Sequence, residues 1–345
     1  MSSHHWRNQN VDMRDIAKAA GVSSATVSRV INGSNLVHPD TAERVHKVIK
    51  KLKFIPNGSA TTLKYGRSST YGLIIPDITN PFFPEFIRSF ESILVENGQD
   101  MLMATTDLHP SKMQRTIHRM LVRKVDGIAL LASEIETEPI EALIHHRVPL
   151  VTMDRRQLAP SLSDVAIDNA GGMNDAIRHL KELGHKRIGY IGGSKGLTIS
   201  DHRLHAFILA MRAAKLPVNP NFIKAGNYRI AGGETAMAAI LGMKRRPTAV
   251  VTANDLTAIG ALRVMHKAGV SAPEDFSIIG FDNIELSDVI FPPLTTITLP
   301  RPNLAEMFFH ALDLLRKEPN GIGKQFWAKT GLIIRSSTGP ARRGS

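Results

Sequence analysis

The spacing of apolar residues changes along the chain, and the first change comes early. Between Asp12 and Leu52 they recur three and four apart, the period of short amphipathic helices. Ile16, Ala17 and Ala20 share a face behind Asp12, which can accept from the first free N–H groups, and Asp15, which can reach back. Gly21 supplies a left-handed stop. Ser23 then caps a second helix, Ser24 to Asn32, with Val27, Val30 and Ile31 on one side and Ser24, Ala25, Ser28 and Arg29 on the other. A third helix from about Pro39 turns Val45, Val48, Ile49 and Leu52 inward and Lys47, Lys50, Lys51 and Lys53 outward. Three short helices with a three-residue glycine turn between the first two predict a helix-turn-helix head over residues 11–57. The second helix has a small polar outer face, of a size to enter a groove roughly 12 Å wide.

After a linker at 58–67 the pattern becomes short apolar runs alternating with amphipathic stretches. Strands are expected at Tyr71–Pro76, Met101–Thr105, Gly127–Leu131 and Pro149–Met153. A second set follows at Arg187–Ile191, Ala249–Thr252 and Ser277–Phe281, with late strands at Thr296–Leu299 and Leu332–Arg335. Expected helices between them include Pro84–Glu96, Ile177–Leu183, His202–Ala214, Gly232–Leu241 and Leu256–Lys267. Alternating βα units predict parallel sheets covered on both faces. Two sets predict an α/β body, residues 68–340, of two lobes. Lobe 1 is expected at about 70–166 and 300–325, lobe 2 at about 167–299 and 326–338. In such sheets ligands bind beyond the carboxyl ends of the strands.

Charge sharpens this picture. Of the net +12, the first 67 residues carry eleven Lys/Arg against four Asp/Glu, and the remainder 32 against 27. A basic head on a near-balanced body points to a polyanion partner for the head. The absence of Cys removes disulfides and thiolate chemistry and fits a reducing cytoplasm. No run of apolar residues suits a membrane span, and the polar first ten residues do not read as a secretory signal. No cofactor or metal site is expected: His145-His146 and His202-x-x-His205 lack a carboxylate motif and read as surface histidines, and no phosphate-cradling loop is present.

Met13 to Gly33, MRDIAKAAGVSSATVSRVING, and the later KFIPN at 53–57 resemble the N-terminal signature of the LacI/GalR family of bacterial transcriptional regulators. The resemblance implies that Ser24, Ala25 and Arg29 face base edges while Thr26, Ser28 and Asn32 anchor to phosphates. It also implies that Leu63 is wedged into the minor groove at the centre of the operator. Thr61 stands where many relatives carry Arg. The body continues the likeness. Its strand ends resemble the family's "DR" at Asp154, "IDN" at Asp168-Asn169, "TANDxxAxGAL" from Thr252 and "GFDN" from Gly280. Arg203 opens an "RLxGF" run in which Ala206 replaces the usual Gly.

Carried over position by position, these motifs make Arg203, Asn254, Asp282 and Asp154 the polar contacts of an effector, with Phe83 and Tyr228 as apolar or stacking walls. Asp and Asn just after a strand also cap the following helix, a second reading for Asp168, Asn169 and Asp255. Carboxylates, Arg and an aromatic platform suit a polyhydroxylated sugar, although some relatives bind purines or nucleosides. The expectation is a non-enzymatic, ligand-responsive regulator, a repressor that binds a near-palindromic operator as a homodimer. The alternative is a solute-binding protein of the periplasmic type.

Overall fold

The computed structural model describes residues 11–31, 33–54, 67–107, 109–131, 137–319 and 321–342. It separates into two compact units, residues 1–68 and 69–345. In the first, α1 (Met13–Ala20), α2 (Ser24–Ile31) and α3 (Pro39–Lys51) enclose Ile16, Ala17, Ala20, Val27, Val30 and Val45. The Asp12 carboxylate accepts from the N–H groups of Arg14 (2.7 Å) and Asp15 (3.0 Å), and Asp15 accepts in return from Asp12 N (2.9 Å). Gly21, at φ 63°, closes α1 in the left-handed region that glycine enters without strain. The linker 58–66 with Leu63, and Asn32 at the end of α2, lie outside the described residues.

The second unit holds two six-stranded sheets. The first comprises β1 (Thr70–Ile75), β2 (Asp100–Thr105), β3 (Gly127–Leu130), β4 (Leu150–Met153), β5 (Leu162–Asp168) and β11 (Gln325–Lys329), in the order β11-β5-β4-β3-β1-β2. The second comprises β6 (Ile188–Ile191), β7 (Ile223–Lys224), β8 (Ala249–Thr252), β9 (Ser277–Asp282), β10 (Thr296–Thr298) and β12 (Gly331–Ile333), in the order β12-β10-β9-β8-β6-β7. All pairings are parallel except β12 with β10.

Helices α4 (Phe82–Glu96) and α12 (Arg301–Lys317) cover one face of the first sheet; α5 (Pro110–Val122) and α6 (Thr137–His145) cover the other. The second sheet lies between α7 (Asn169–Glu182) with α8 (Thr198–Ala213) on one side and α9 (Ile230–Leu241) with α10 (Asp255–Lys267) on the other. A short α11 (Leu286–Val289) follows β9. The central strands β1, β3, β4, β6, β8 and β9 are buried on both faces, which is why they read as apolar runs without alternation. Among the described residues, no helix is long and apolar enough to cross a membrane.

Three differences from expectation have identifiable causes. The boundary placed at 325/326 falls inside β11, whose residues pair in register with β5 from Gln325↔Asp164 to Lys329↔Asp168; lobe 1 therefore extends through 329. The segments β7 and β11 were not expected as strands, and of β5 only the end at Asp168 was: β5 carries Ser163 and Asp164, and β7 has only two residues. Third, α7 begins at Asn169, eight residues before its expected start, because Gly171-Gly172 is inside it. A Cβ on Gly172 would sit 2.3 Å from Ile297 Cγ2 and 2.8 Å from Thr330 Oγ1, so these glycines permit close packing against the chain crossings. Gly172→Val is expected to lower stability by about 1–3 kcal/mol through overpacking, read as a fall in melting temperature; an unchanged melt would show that the crossings yield freely.

Candidate nucleic-acid interface and ligand cleft

In the head, α2 is fixed by its buried side. Val27 is 0% exposed, and Ser23 Oγ accepts from Thr26 N (3.1 Å). Ser24, Ala25 and Arg29 are thereby turned to solvent, while Thr26 and Ser28 are half-buried. Thr26 Oγ1 is also within 2.9 Å of Ser23 Oγ, so this hydroxyl has a partner within the turn. The exposed strip is short and has a single cation, Arg29.

In the body, the carboxyl ends of the parallel strands face a cleft enclosing about 790 Å³, part of it open to solvent. Lobe 1 contributes Pro76, Asp77, Asn80, Phe83 and Met153, and lobe 2 contributes Arg203, Tyr228, Arg229, Leu256 and Asp282, among others. Its polar centre is Arg203 on α8, 4% exposed. The guanidinium lies 3.8 Å above the Phe281 ring and donates to Asp282 Oδ1 (3.2 Å) and to the Ala253 carbonyl. Its Nε has no hydrogen-bond partner. Burial is the largest influence and works against this charge, but Asp282, Tyr228, Tyr190 and Asp154 together hold the guanidinium above its ordinary range. Tyr228 accepts from Ser200 Oγ (3.0 Å), its ring 5.9 Å from the Arg203 guanidinium. A Cβ on Gly193 would stand 2.1 Å from that ring, so this glycine admits the tyrosine to the wall.

Thus Phe83, Arg203, Tyr228 and Asp282 come together on the wall. Asp154 and Asn254 do not: both are 1% exposed and engaged behind it. Asn254 Oδ1 caps α10 by accepting from Thr257 N (3.0 Å), and its Nδ2 donates to the Tyr228 carbonyl (3.0 Å). Asp154 accepts from Ile167 N (3.2 Å) and meets His202 Nδ1 at 2.8 Å. It thereby links the end of β4 to α8 across the two lobes. These residues position the wall and the lobes. Asp168 caps α7, accepting from Gly171 N (3.2 Å), whereas Asp255 receives bonds from Ile284 N (2.9 Å) and Thr296 Oγ1 (2.6 Å).

Sequence reasoning did not single out Asp77 and Arg229, which pair at 2.6 Å across the cleft. Asp77 follows an apolar strand just as Asp154 and Asp282 do, so that signal was present; Arg229 follows β7, which was not expected. Nor is His202 a surface histidine, since its side chain is only 22% exposed and is bonded to Asp154. Backbone strain marks the same region. Asp154, Tyr228, Asp282 and Asn283 have φ of 52°, 61°, 107° and 55°, a concentration of left-handed non-glycine residues typical of ligand sites.

A helix-turn-helix head joined to a two-lobed body with a polar cleft is the build of a ligand-gated DNA-binding regulator. Residues 12–57 match the family described as bacterial regulatory proteins, lacI family, and residues 177–338 match the periplasmic binding protein-like domain. The chain is 36% identical over 331 residues to the HTH-type transcriptional repressor CytR of Escherichia coli (strain K12), covering 94% of this chain and 96% of that protein. It is 32% identical over 326 residues to the ribose operon repressor of Haemophilus influenzae, covering 94% and 98%. Among solved structures, a transcriptional regulator CelR–cellobiose complex superposes with a TM-score of 0.72 at 28% identity, over 95% of this chain and 99% of that one. A LacI family regulator from Enterococcus faecium with bound ribose gives 0.70 at 29%, over 79% and 100%. The lac repressor dimer bound to operator shares the fold, with a TM-score of 0.84 at 24% identity over 96% and 100%. The chain belongs to the LacI family and is a DNA-binding transcriptional regulator.

Behind the cleft lies a pH signature. Asp255, 0% exposed, is pushed up to about 8, chiefly by burial and then by the neighbouring Asp282 carboxylate, with the bonds from Thr296 and Ile284 pulling back. Between 3.8 and about 8 the folded chain therefore keeps a proton that the unfolded chain has released, and stability falls as pH rises through that window. The expected slope is on the order of 1 kcal/mol per pH unit, and Asp255→Asn should flatten it in denaturant titrations across this range. The same slope in the variant would assign it to other groups.

Proposed function

We propose that the chain is a ligand-responsive repressor that binds a near-palindromic operator as a homodimer, with a sugar or sugar derivative as effector. Ser24, Ala25 and Arg29 read base edges; Thr26, Ser28 and Asn32 hold phosphates; Leu63 enters the minor groove. Phe83, Arg203, Tyr228 and Asp282 contact the effector, and Asp154 and Asn254 hold that wall in place. The protein is a regulator rather than an enzyme and works beside the chromosome in the bacterial cytoplasm.

The observation that carries the effector reading is Arg203. Burying a guanidinium with one N–H unpartnered costs stability, and this costly group lines the cleft. The cellobiose- and ribose-bound relatives support a sugar. A dimer is supported by symmetry, since a repeated half-site needs two heads. It is also supported by an apolar patch: Val289 is 75% exposed, Phe291 96% and Ile334 60%, with Arg335 bonded to Asp288 between them (2.9 Å). A ligand that prefers one arrangement of the lobes changes DNA affinity by that difference alone.

The experiment is a melting-temperature screen of sugars, sugar phosphates and nucleosides on the full-length protein, followed by operator titrations with each hit. A ligand that binds only the folded state raises the melting temperature. Asp282→Ala is expected to abolish that shift while leaving DNA affinity within about twofold, a change of under 0.5 kcal/mol. A retained shift would move the effector away from this wall. In the head, Arg29→Ala should cost about 1–3 kcal/mol of discrimination between operator and mixed-sequence DNA, measured by competition binding; undiminished discrimination would remove Arg29 from base reading.

A further inference from the structure

One helix of lobe 1 carries charge that neither site uses. α5 buries Met113, Ile117 and Met120 against the sheet and turns Arg115 and Arg119 to solvent, with Arg123 as its C-cap and Lys124 beyond. The whole charge surplus of the body is here. Beyond Arg67 the chain has 32 Lys/Arg against 27 Asp/Glu, and residues 108–125 hold five of those cations with no acid, leaving the rest of the body balanced. Lys112 pairs with Asp107. Arg115, Arg119, Arg123 and Lys124 form no ion pair among the described residues.

Local helix stability does not explain the stripe. Cations at the last turn are favoured by the helix dipole, but like charges four apart repel, and Arg115 stands mid-helix. The stripe also ends where the chain arrives from the linker. The Asp126 carboxylate accepts from Ser69 N (3.0 Å), and Asp126 N donates to the Thr70 carbonyl (2.8 Å), tying the loop after Arg123-Lys124 to the first residues of the body. Only Val122 is a large apolar residue exposed on this helix, at 65%. A protein interface needs an apolar centre, whereas phosphate contacts need Arg and Lys without one.

We infer that the Arg115–Arg119–Arg123 face of α5, with Lys124, is a second DNA contact, a sequence-blind surface for the duplex backbone. It draws on the regulator reading only in that DNA is bound at all; operator choice stays with the head.

The test titrates full-length protein with a fluorescent mixed-sequence duplex over a range of salt concentrations. Each phosphate contact contributes about 0.9 to the slope of log K against log salt. R115Q/R119Q/R123Q should reduce that slope by about one to three and weaken all duplexes equally, leaving discrimination by the head intact. K186Q/K215Q/K244Q, which removes the same charge from exposed positions of lobe 2, should keep the wild-type slope. Melting curves confirm folding, and Arg119→Gln alone gives the same reading in miniature should the triple variant be unstable. A wild-type slope in the stripe variants overturns the inference, as does an equal drop in both triples, which would signify diffuse charge. Stripe-dependent binding of polyglutamate in preference to duplex would also overturn it and assign the face to an acidic protein. None of these outcomes touches the operator reading, which fails instead if no sequence is preferred.

Discussion

The body depends on a single constraint: the chain passes three times between two sheets, and the three passages are packed side by side. Thr330, between β11 and β12, donates to the Asp168 carbonyl (2.5 Å) and accepts from Gly172 N (2.8 Å), and Gly172 in turn rests against Ile297 of β10. The lobes are thus joined by covalent chain and close backbone packing at the crossings. Away from them polar contacts join Asp77 with Arg229, Asp154 with His202, and Arg88 with Glu285 at 2.5 Å, beside apolar packing of Ile199, Leu256, Ile259 and Ile284 against the core of lobe 1. Exposed pairs such as Arg88–Glu285, with 71% and 68% of the side chains open, contribute about 0–1 kcal/mol each. A coupling free energy of about 1–3 kcal/mol, the usual allosteric scale, is of the same size. A ligand bridging the cleft competes with contacts of its own magnitude.

The cleft wall is built against stability. The Arg203–Asp282 pair is buried, and burial raises the Asp282 carboxyl even with Arg203 and Arg301 beside it. Asp282 is also held at φ 107°, and Asp255 behind it keeps a proton over a wide pH range. A well-packed apolar cluster of the same volume is commonly as stable or more so. What the polar arrangement provides is a fixed donor and acceptor at the meeting of α8 and β9, ready for a ligand oxygen without side-chain rearrangement. On the proposed reading, the strain at the strand ends and the unpartnered Arg203 Nε beside them serve effector binding.

Much of this was legible in the sequence where local chemistry decides. The capping box at Asp12, the left-handed Gly21 and the face of α2 follow from short-range rules and appear as expected. The same holds for the apolar strands of both sheets. The harder features were those set by distant chain. Gly171-Gly172 looks like a breaker in sequence, yet Thr330 and Ile297, more than a hundred positions away, make it the place where a helix must be thin. β11 becomes a strand by pairing with β5, which also pairs with β4. Asp154 and Asn254 carry the same strand-end signature as Asp282, but Asp154 points to His202 and Asn254 to its own helix start. Motif position located the wall, and only packing separated the residues on it from those behind it.

The small exposed face of α2 limits how the head chooses DNA. With Ser24 and Ala25 too short for bidentate pairing, Arg29 is the long side chain on the described part of that face. A good bidentate base contact discriminates by about 1–3 kcal/mol, so if Arg29 reads a base as proposed, two heads supply about 2–6 kcal/mol from this source. Specific sites are usually preferred over bulk DNA by about 4–10 kcal/mol. On the proposed reading, the remainder comes from apolar contact between Ala25 and a thymine methyl, and from the deformability of the operator where Leu63 enters. Sequence-blind affinity is then left to phosphate contacts, which carry no information and can be borne by any basic surface of the chain. Affinity and selectivity are therefore separable in this protein: the first scales with the number of cations against the backbone, the second with the few side chains that reach the bases.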